Sequence, residues 1–410
     1  MMDEAPTPRS IGEVEAMFAS ADPDFESWMP HQLKPLENWE DQQCAGKHLV
    51  HYPTGKGKTK IMLGMIAMSG YGVCVVVAPP ITHGKWIAEG KMVGIKVIAM
   101  SHAKFRQPDV RLLRNTPIIV DEFHLLGGHT GKGWMKLDRA AAGLKAPLVL
   151  GSATPNYNDA ERCYCIAHVL DPFGNRGGYL SWLYQHCKTE ANPFGAEPKV
   201  TGFLQFEDAA EFLASLEHVS YLPDDAPDIL VDYHVDVPEL GREFEEYHLD
   251  DSRERVMASL MEIRQRRSYR AIVGNDVIRE EVFEQLSYLL GQSPEGSPWL
   301  IFCNRKEIAL RVAKEFEASE LGYVYIDGDS SLKEKNAALA DFLSGKIEYM
   351  IGTASMATGT DGIDKVCKQM IIVDDTPDDA LRRQLVGRIL PRGIVTPEDY
   401  VGRVAYRFTY

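Results

Sequence analysis

Long apolar runs are missing from this 410-residue sequence. Nowhere does it approach the roughly 18 to 20 consecutive apolar residues that a spanning helix needs, which argues against a helical membrane protein. Cysteine is scarce as well. Seven residues, scattered along the chain, do not make a disulfide framework. The N-terminus, MMDEAPTPRSIGEVEAMF, brings acids early and has no apolar core, so it does not read as a secretory signal. A reducing, cytoplasmic setting is the expectation. Positive charge is short too: 44 Lys and Arg stand against 59 Asp and Glu, a formal net charge of -15. That excludes a surface coated in basic residues for nucleic acid. What remains is the composition of a globular protein, 45% hydrophobic and 25% charged, long enough for two or three domains.

The charge deficit is local. Leu204 to Asp250 holds fourteen acids and one base, Arg242. Elsewhere basic residues cluster, as at Arg264, Arg266, Arg267 and Arg270, and again at Arg382, Arg383, Arg388 and Arg392. A basic channel on an acidic protein therefore stays open. The acidic stretch reads as solvated surface, with a protein-binding or DNA-mimicking element as the alternative.

Short β-branched runs alternate with helical patterns in two blocks. The first has expected strands at His48–Tyr52, Val73–Ala78, Lys96–Met100, Pro117–Asp121 and Pro147–Gly151, with helices at Thr59–Met68, Trp134–Gly143 and Asp159–Leu170. The second has strands at Trp299–Cys303, Tyr323–Ile326, Tyr349–Thr353, Met370–Asp374 and Val404–Thr409. Its helices are expected at Lys306–Ala318, Leu332–Leu343 and Pro377–Leu390. Such alternation predicts parallel sheets covered on both faces, hence an α/β fold with two similar lobes. The expected division is a first lobe over 1–170, a largely helical insertion and connector over 171–272, and a second lobe over 273–410.

In the first block, HLVHYPTGKGKTKIMLGMI feeds an apolar run into a Gly-rich turn and then a helix. A phosphate cradle needs this order, because backbone N–H groups and a helix N-terminus must surround an anion. Thr54, Gly55, Lys56 and Gly57 form the turn, Lys58 would reach the phosphates, and the Thr59 hydroxyl would hold Mg²⁺. Tyr52 stands where the full P-loop pattern has its first Gly. Downstream, PIIVDEFH brings Asp121 and Glu122 to the carboxyl end of a buried strand. Asp121 suits a Mg²⁺ contact, and Glu122 suits polarising the water that attacks a γ-phosphate.

A DExH box (Asp121, Glu122, Phe123, His124) after GKGKT, followed by Ser-Ala-Thr at 152–154, resembles superfamily-2 helicases. The resemblance implies two RecA-like lobes, ATP and Mg²⁺ as ligands, and coupling roles for His124, Ser152 and Thr154. Gln32, in MPHQL, falls at the family's adenine-reading glutamine. Pro79, Ser101 and His102 fall where nucleic-acid backbone is touched. In the second block, LRRQLVGRILPR resembles the sixth helicase motif. Gln384, Gly387 and Arg388 match its spacing, while Pro391 makes Arg392 one residue late. Arg388 is therefore the better arginine finger, acting on the γ-phosphate when the lobes close, with Arg392 second. ATGTDGID resembles the fifth motif, giving Thr358 and Gly359 to nucleic acid and Asp361 to the nucleotide. IFCNRK resembles the fourth, with Asn304 as a contact. HQLKPLENW and SATPNYNDAERCYCIAHVLDPF resemble the Swi/Snf-like branch, and compact phage or bacterial helicases compete with it. DNA, as duplex or fork, is the implied partner. An RNA helicase and an ATP-dependent binding switch remain the alternatives.

Cys163, Cys165 and His168 invite a zinc reading, but they fall in one expected helix without a complementary ligand pair. Trp182, Tyr184, Phe203, Phe206 and Phe212 read as core of the insertion rather than base-stacking platforms.

Overall fold

The structure, a computed structural model, describes residues 6–153, 160–171, 177–192, 198–223, 226–237, 269, 271–274, 277–294, 296–357, 362–392 and 395–410. The chain divides into two compact units, Met1–Asp225 and Ala226–Tyr410.

The first unit is built on strands β1 (Lys47–His51), β2 (Val73–Val77), β3 (Lys96–Met100), β4 (Ile118–Asp121) and β5 (Leu148–Ser152). Runs such as VCVVV are apolar at successive positions because both faces of a parallel sheet are covered. Helices α1 (Ile11–Ala21), α2 (Pro30–Asp41), α3 (Lys58–Met68) and α4 (His83–Met92) surround an apolar cluster that includes Leu36, Trp39, Ile61, Ile66 and Trp86. A second cluster gathers α5 (His102–Phe105), α6 (Lys132–Gly143) and α7 (Ala160–Leu170) through Phe105, Leu137 and Ile166.

The stretch expected as insertion and connector contains helices α8 (Tyr179–His186) and α9 (Ala209–Ala214). It also contains an antiparallel pair, β6 (Cys187–Glu190) and β7 (Lys199–Phe203). Trp182, Phe203 and Phe212 are buried in the first unit's core with Phe206 packed against them, whereas Tyr184 is 63% exposed. Two further strands of the stretch each extend a sheet. β8 (Val219–Tyr221) pairs with β1 and completes the first unit's parallel order, β3-β2-β4-β5-β1-β8. β9 (Leu230–His234) belongs to the sheet of the second unit. The expected helical stretch Ser252–Ile272, with Arg264, Arg266, Arg267 and Arg270, lies mostly outside the described residues.

The second unit includes a small hairpin, β10 (Val273–Gly274) and β11 (Val277–Ile278), and helix α10 (Glu280–Gly291). Its sheet comprises β12 (Trp299–Cys303), β13 (Tyr323–Ile326), β14 (Tyr349–Gly352), β15 (Gln369–Asp374), β16 (Val404–Thr409) and β9. They lie parallel in the order β13-β14-β12-β15-β16-β9. Helices α11 (Lys306–Ala318), α12 (Leu332–Leu343), α13 (Ile363–Val366) and α14 (Asp379–Val386) flank it. Helix α14 ends at Val386 rather than at the expected Leu390. Gly387 weakens a helix and Pro391 offers no N–H, so the chain turns instead.

Candidate active site

Register places the chemistry at one end of the first sheet. β5 lies between β1 and β4, with His51 opposite Ser152 and Asp121 opposite Gly151. Strand ends carrying a Gly-rich turn and an Asp–Glu pair therefore flank Ser152 at the same level.

The turn after β1 curls as a phosphate cradle requires. Gly55 and Gly57 have φ of 84° and 79°, a left-handed conformation that side-chain-bearing residues seldom adopt. A Cβ at Gly57 would also meet Gln32 Nε2 at 2.1 Å, so any larger residue there has to displace the end of the Gln32 side chain. Gln32 is thereby brought against the turn, its Nε2 donating to the Lys56 carbonyl at 3.4 Å and its Oε1 accepting from Met29 N at 3.1 Å. Lys58 folds back over the turn, donating to the Tyr52 and Pro53 carbonyls at 2.9 and 3.1 Å. Tyr52, in place of a Gly, is buried and anchors the turn by donating to the His31 carbonyl at 2.5 Å. Thr54 and Lys56 lie in the same turn, and Thr59 is the second residue of α3.

At the end of β4, burial and the neighbouring Glu122 push the Asp121 carboxyl well above the usual range. Lys58 and a hydrogen bond from the Trp86 indole pull it the other way. A half-buried carboxylate in this place, near Lys58 and Thr59, fits Mg²⁺, which takes few protein ligands beside phosphate and water. Glu122 has φ of 49°, a left-handed conformation unusual for a residue with a Cβ. Its Oε2 lies 3.4 Å from both Ser152 Oγ and His124 Nδ1, and those two lie 3.0 Å apart. Glu122, His124 and Ser152 thus form one polar triangle beside the cradle.

The expected nucleic-acid contacts are less uniform. Ser101 caps α5 by accepting from Lys104 N at 3.1 Å. His102 turns inward, 7% exposed, with Nε2 2.9 Å from the Asp121 carbonyl oxygen. Pro79 is itself buried, and its carbonyl accepts from the Thr82 hydroxyl at 2.8 Å. Trp86 is the site residue that motif spacing did not reveal. His102, expected at nucleic acid, lies against the backbone of the Asp–Glu pair.

In the second unit, Asn304 N donates to the Asp374 carbonyl at 2.8 Å, and Arg305 grips the buried Asp374 carboxylate. That carboxylate accepts Arg305 N at 2.8 Å and Arg305 Nε at 3.0 Å. Gln384 and Arg388 are buried, 5% and 7% exposed. Arg392 lies beyond α14, and its Nε is 3.1 Å from Asp364 Oδ1. Thr154, Thr358, Gly359 and Asp361 lie outside the described residues. Cys163 and Cys165 are buried in α7, and His168 faces Asp138 at 3.3 Å. Among the described residues no helix is long and apolar enough to cross a membrane.

Residues 281–392 match the family model described as the helicase conserved C-terminal domain. The match lies wholly within the second unit. S. cerevisiae Dbp5 bound to RNA and ADP BeF3 superposes with a TM-score of 0.58 at 14% identity, over 98% of this chain and 89% of that one. A second S. cerevisiae Dbp5 structure, of a single-residue variant likewise bound to RNA and ADP BeF3, gives 0.56 at 14% identity over 100% and 89%. The Sulfolobus solfataricus SWI2/SNF2 ATPase core in complex with dsDNA matches over 93% and 87% at 13% identity, with a TM-score of 0.38. No curated protein matches the chain. The two parallel sheets have the fold of RecA-like lobes.

Proposed function

We propose that this helicase-type chain is an ATP-dependent DNA translocase or helicase of the Swi/Snf-like branch. The observation that carries the ATPase is the Glu122–His124–Ser152 triangle beside a glycine cradle with Lys58. Lys58 and the N–H groups of residues 55–59 bind the phosphates, and Gln32 reads adenine. Thr59 and Asp121 would hold Mg²⁺, which would supply charge neutralisation at the phosphates. Glu122 orients and polarises the attacking water, while His124 and Ser152 hold its carboxylate. Arg388 stabilises charge that develops on the γ-phosphate, and Gln384 couples that residue to the state of the site. Nucleic acid is held chiefly through its phosphates, with Ser101 and Asn304 among the contacts.

An RNA helicase is the second reading, favoured by the likeness to Dbp5, which was bound to RNA. Preference for DNA rests on HQLKPLENW and on the run from Ser152 to Phe173, which resemble the Swi/Snf-like branch. ATP turnover measured with duplex DNA, single-stranded DNA, RNA and no polymer separates the readings. Stimulation by DNA above RNA is expected. Stimulation by RNA alone replaces the DNA reading, and equal turnover in all four reduces the motor to a switch.

A further inference from the structure

Helix α5 is one turn long, too short to hold itself together. Its stability comes from what it grips. Phe105 is fully buried in the cluster that holds Phe123 and Leu126, both in the segment after the Asp–Glu pair. Two polar arms reach the same segment: His102 Nε2 at the Asp121 carbonyl, 2.9 Å, and an Arg106 guanidinium nitrogen at the Leu125 carbonyl. A carbonyl can only accept, so His102 carries its proton on Nε2 and donates. Burial lowers the imidazole pKa to about 4, which keeps the ring neutral at ordinary pH.

That carbonyl belongs to the peptide joining Asp121 to Glu122. Glu122 follows it in a left-handed conformation, φ 49° and ψ 51°, which the local chain does not favour by itself. The orientation of this one peptide plane sets the direction in which the Glu122 side chain leaves the backbone. The His102 ring grips the plane by its carbonyl oxygen, from a helix that Phe105 locks into the core.

We propose that His102 is a positioning residue for hydrolysis: by donating to the Asp121 carbonyl it fixes the Asp121–Glu122 peptide and so aims the Glu122 carboxylate. The inference rests on the reading of Glu122 as the water-polarising group. It gives His102 a role inside the site, in place of a contact with nucleic-acid backbone.

The test compares the full chain with His102→Leu, which removes the donor, and His102→Gln, whose amide offers an N–H at similar reach. ATP-analogue affinity, ATP turnover at saturating nucleotide and DNA, and backbone hydrogen exchange over residues 121–126 are read for each. A displacement of the reacting group by about 1 Å can cost on the order of 100-fold in rate, so His102→Leu should lose roughly 10- to 100-fold in turnover. Its nucleotide affinity should stay within about twofold, since the cradle is untouched. His102→Gln should recover most of the lost rate, and exchange over 121–126 should rise in the Leu variant only. Wild-type turnover in His102→Leu overturns the proposal. So does a Gln variant as slow as the Leu variant with the same melting temperature as wild type. If His102→Leu does not fold, His102→Asn, whose amide falls short of the carbonyl, takes its place. If the wild-type chain hydrolyses no ATP, the proposed function fails, and the exchange comparison still decides whether His102 holds the peptide.

Discussion

Arg392→Ala should damage stability more than catalysis. Arg392 Nε lies 3.1 Å from Asp364 Oδ1, with side-chain exposures of 19% and 7%. Truncation leaves the Asp364 carboxylate buried beside a space that held its counter-ion. Breaking a buried pair by removing one partner typically costs about 3–5 kcal/mol. Arg392 keeps some solvent, so about 2–3 kcal/mol is the better figure here. In a unit of this size that corresponds to roughly 5–10 °C in melting temperature. The double variant Arg392→Ala/Asp364→Asn removes the orphaned charge and should recover at least half of the loss, a coupling that a mutant cycle measures directly. Scanning calorimetry gives the melting shifts, and turnover per folded molecule, taken well below the transition, gives the catalytic effect. Arg388→Ala should show the opposite pattern, losing turnover while keeping nucleotide affinity, because a finger acts on charge that develops during phosphoryl transfer. An Arg392→Ala chain that melts like wild type but hydrolyses no ATP would refute the reasoning and make Arg392 the finger.

Lys58→Ala and Glu122→Gln should each lower ATP turnover by about 100-fold or more, with nucleotide still bound by Glu122→Gln; single-turnover kinetics and analogue titration check both. Stimulation by nucleic acid should fade with salt, with a log–log slope of roughly -0.7 to -0.9 per phosphate contact in a binding titration. Arg407 joins Asp232 on β9 at 2.6 Å to Asp375 at 3.7 Å, and Asp375 in turn lies 2.9 Å from Arg382 of α14. Arg407→Ala should therefore speed hydrogen exchange in α14 while shifting the melting temperature little, since these partners are partly solvated. Burial raises the Asp327 carboxyl, but Lys306, Ser330 and Tyr325 outweigh it and hold the group well below its usual range. A depressed folded pKa stabilises above the unfolded value of about 4 and is lost as pH falls towards the folded one, so urea melts of Asp327→Asn should converge with wild type below pH 4.

The sheets were readable because a strand buried on both faces writes itself as an uninterrupted apolar run. VCVVV and WLIFC do so, and WLIFC falls on β12 residue for residue. β8 and β9 were not readable. VSY and LVDYH sit inside the acidic stretch, and become strands only because β1 and β16 offer them an edge. The same contrast holds in the site. Lys58, Asp121 and Glu122 are bound to local spacing, which a sequence displays. His102 and Trp86 act on the end of β4 from α5 and α4, and such contacts depend on which side chains the fold turns inward. The Arg392–Asp364 pair was hidden for a further reason: α14 ends at Val386, so helical rotation does not set where Arg392 points.

The acidic stretch gains a structural role from its position. Its two described strands in the large sheets are the outermost members there, β8 beside β1 and β9 beside β16. An open sheet edge presents unpaired N–H and C=O groups that can template pairing with another chain. Charge at such an edge discourages that pairing, because a second copy would bring like charges together out of water. Asp228, Asp232 and Asp236 bracket and occupy β9, and Glu217 precedes β8. Asp232 stays half-exposed even while paired with Arg407, and the hydrogen bond from that arginine lowers its carboxyl, so the edge keeps its charge. A net charge of -15 is then no contradiction with the proposed function: part of the negative charge sits where two parallel sheets end, and the Gly-rich turn after β1 and the helix it opens carry Lys56, Lys58 and Lys60 of their own.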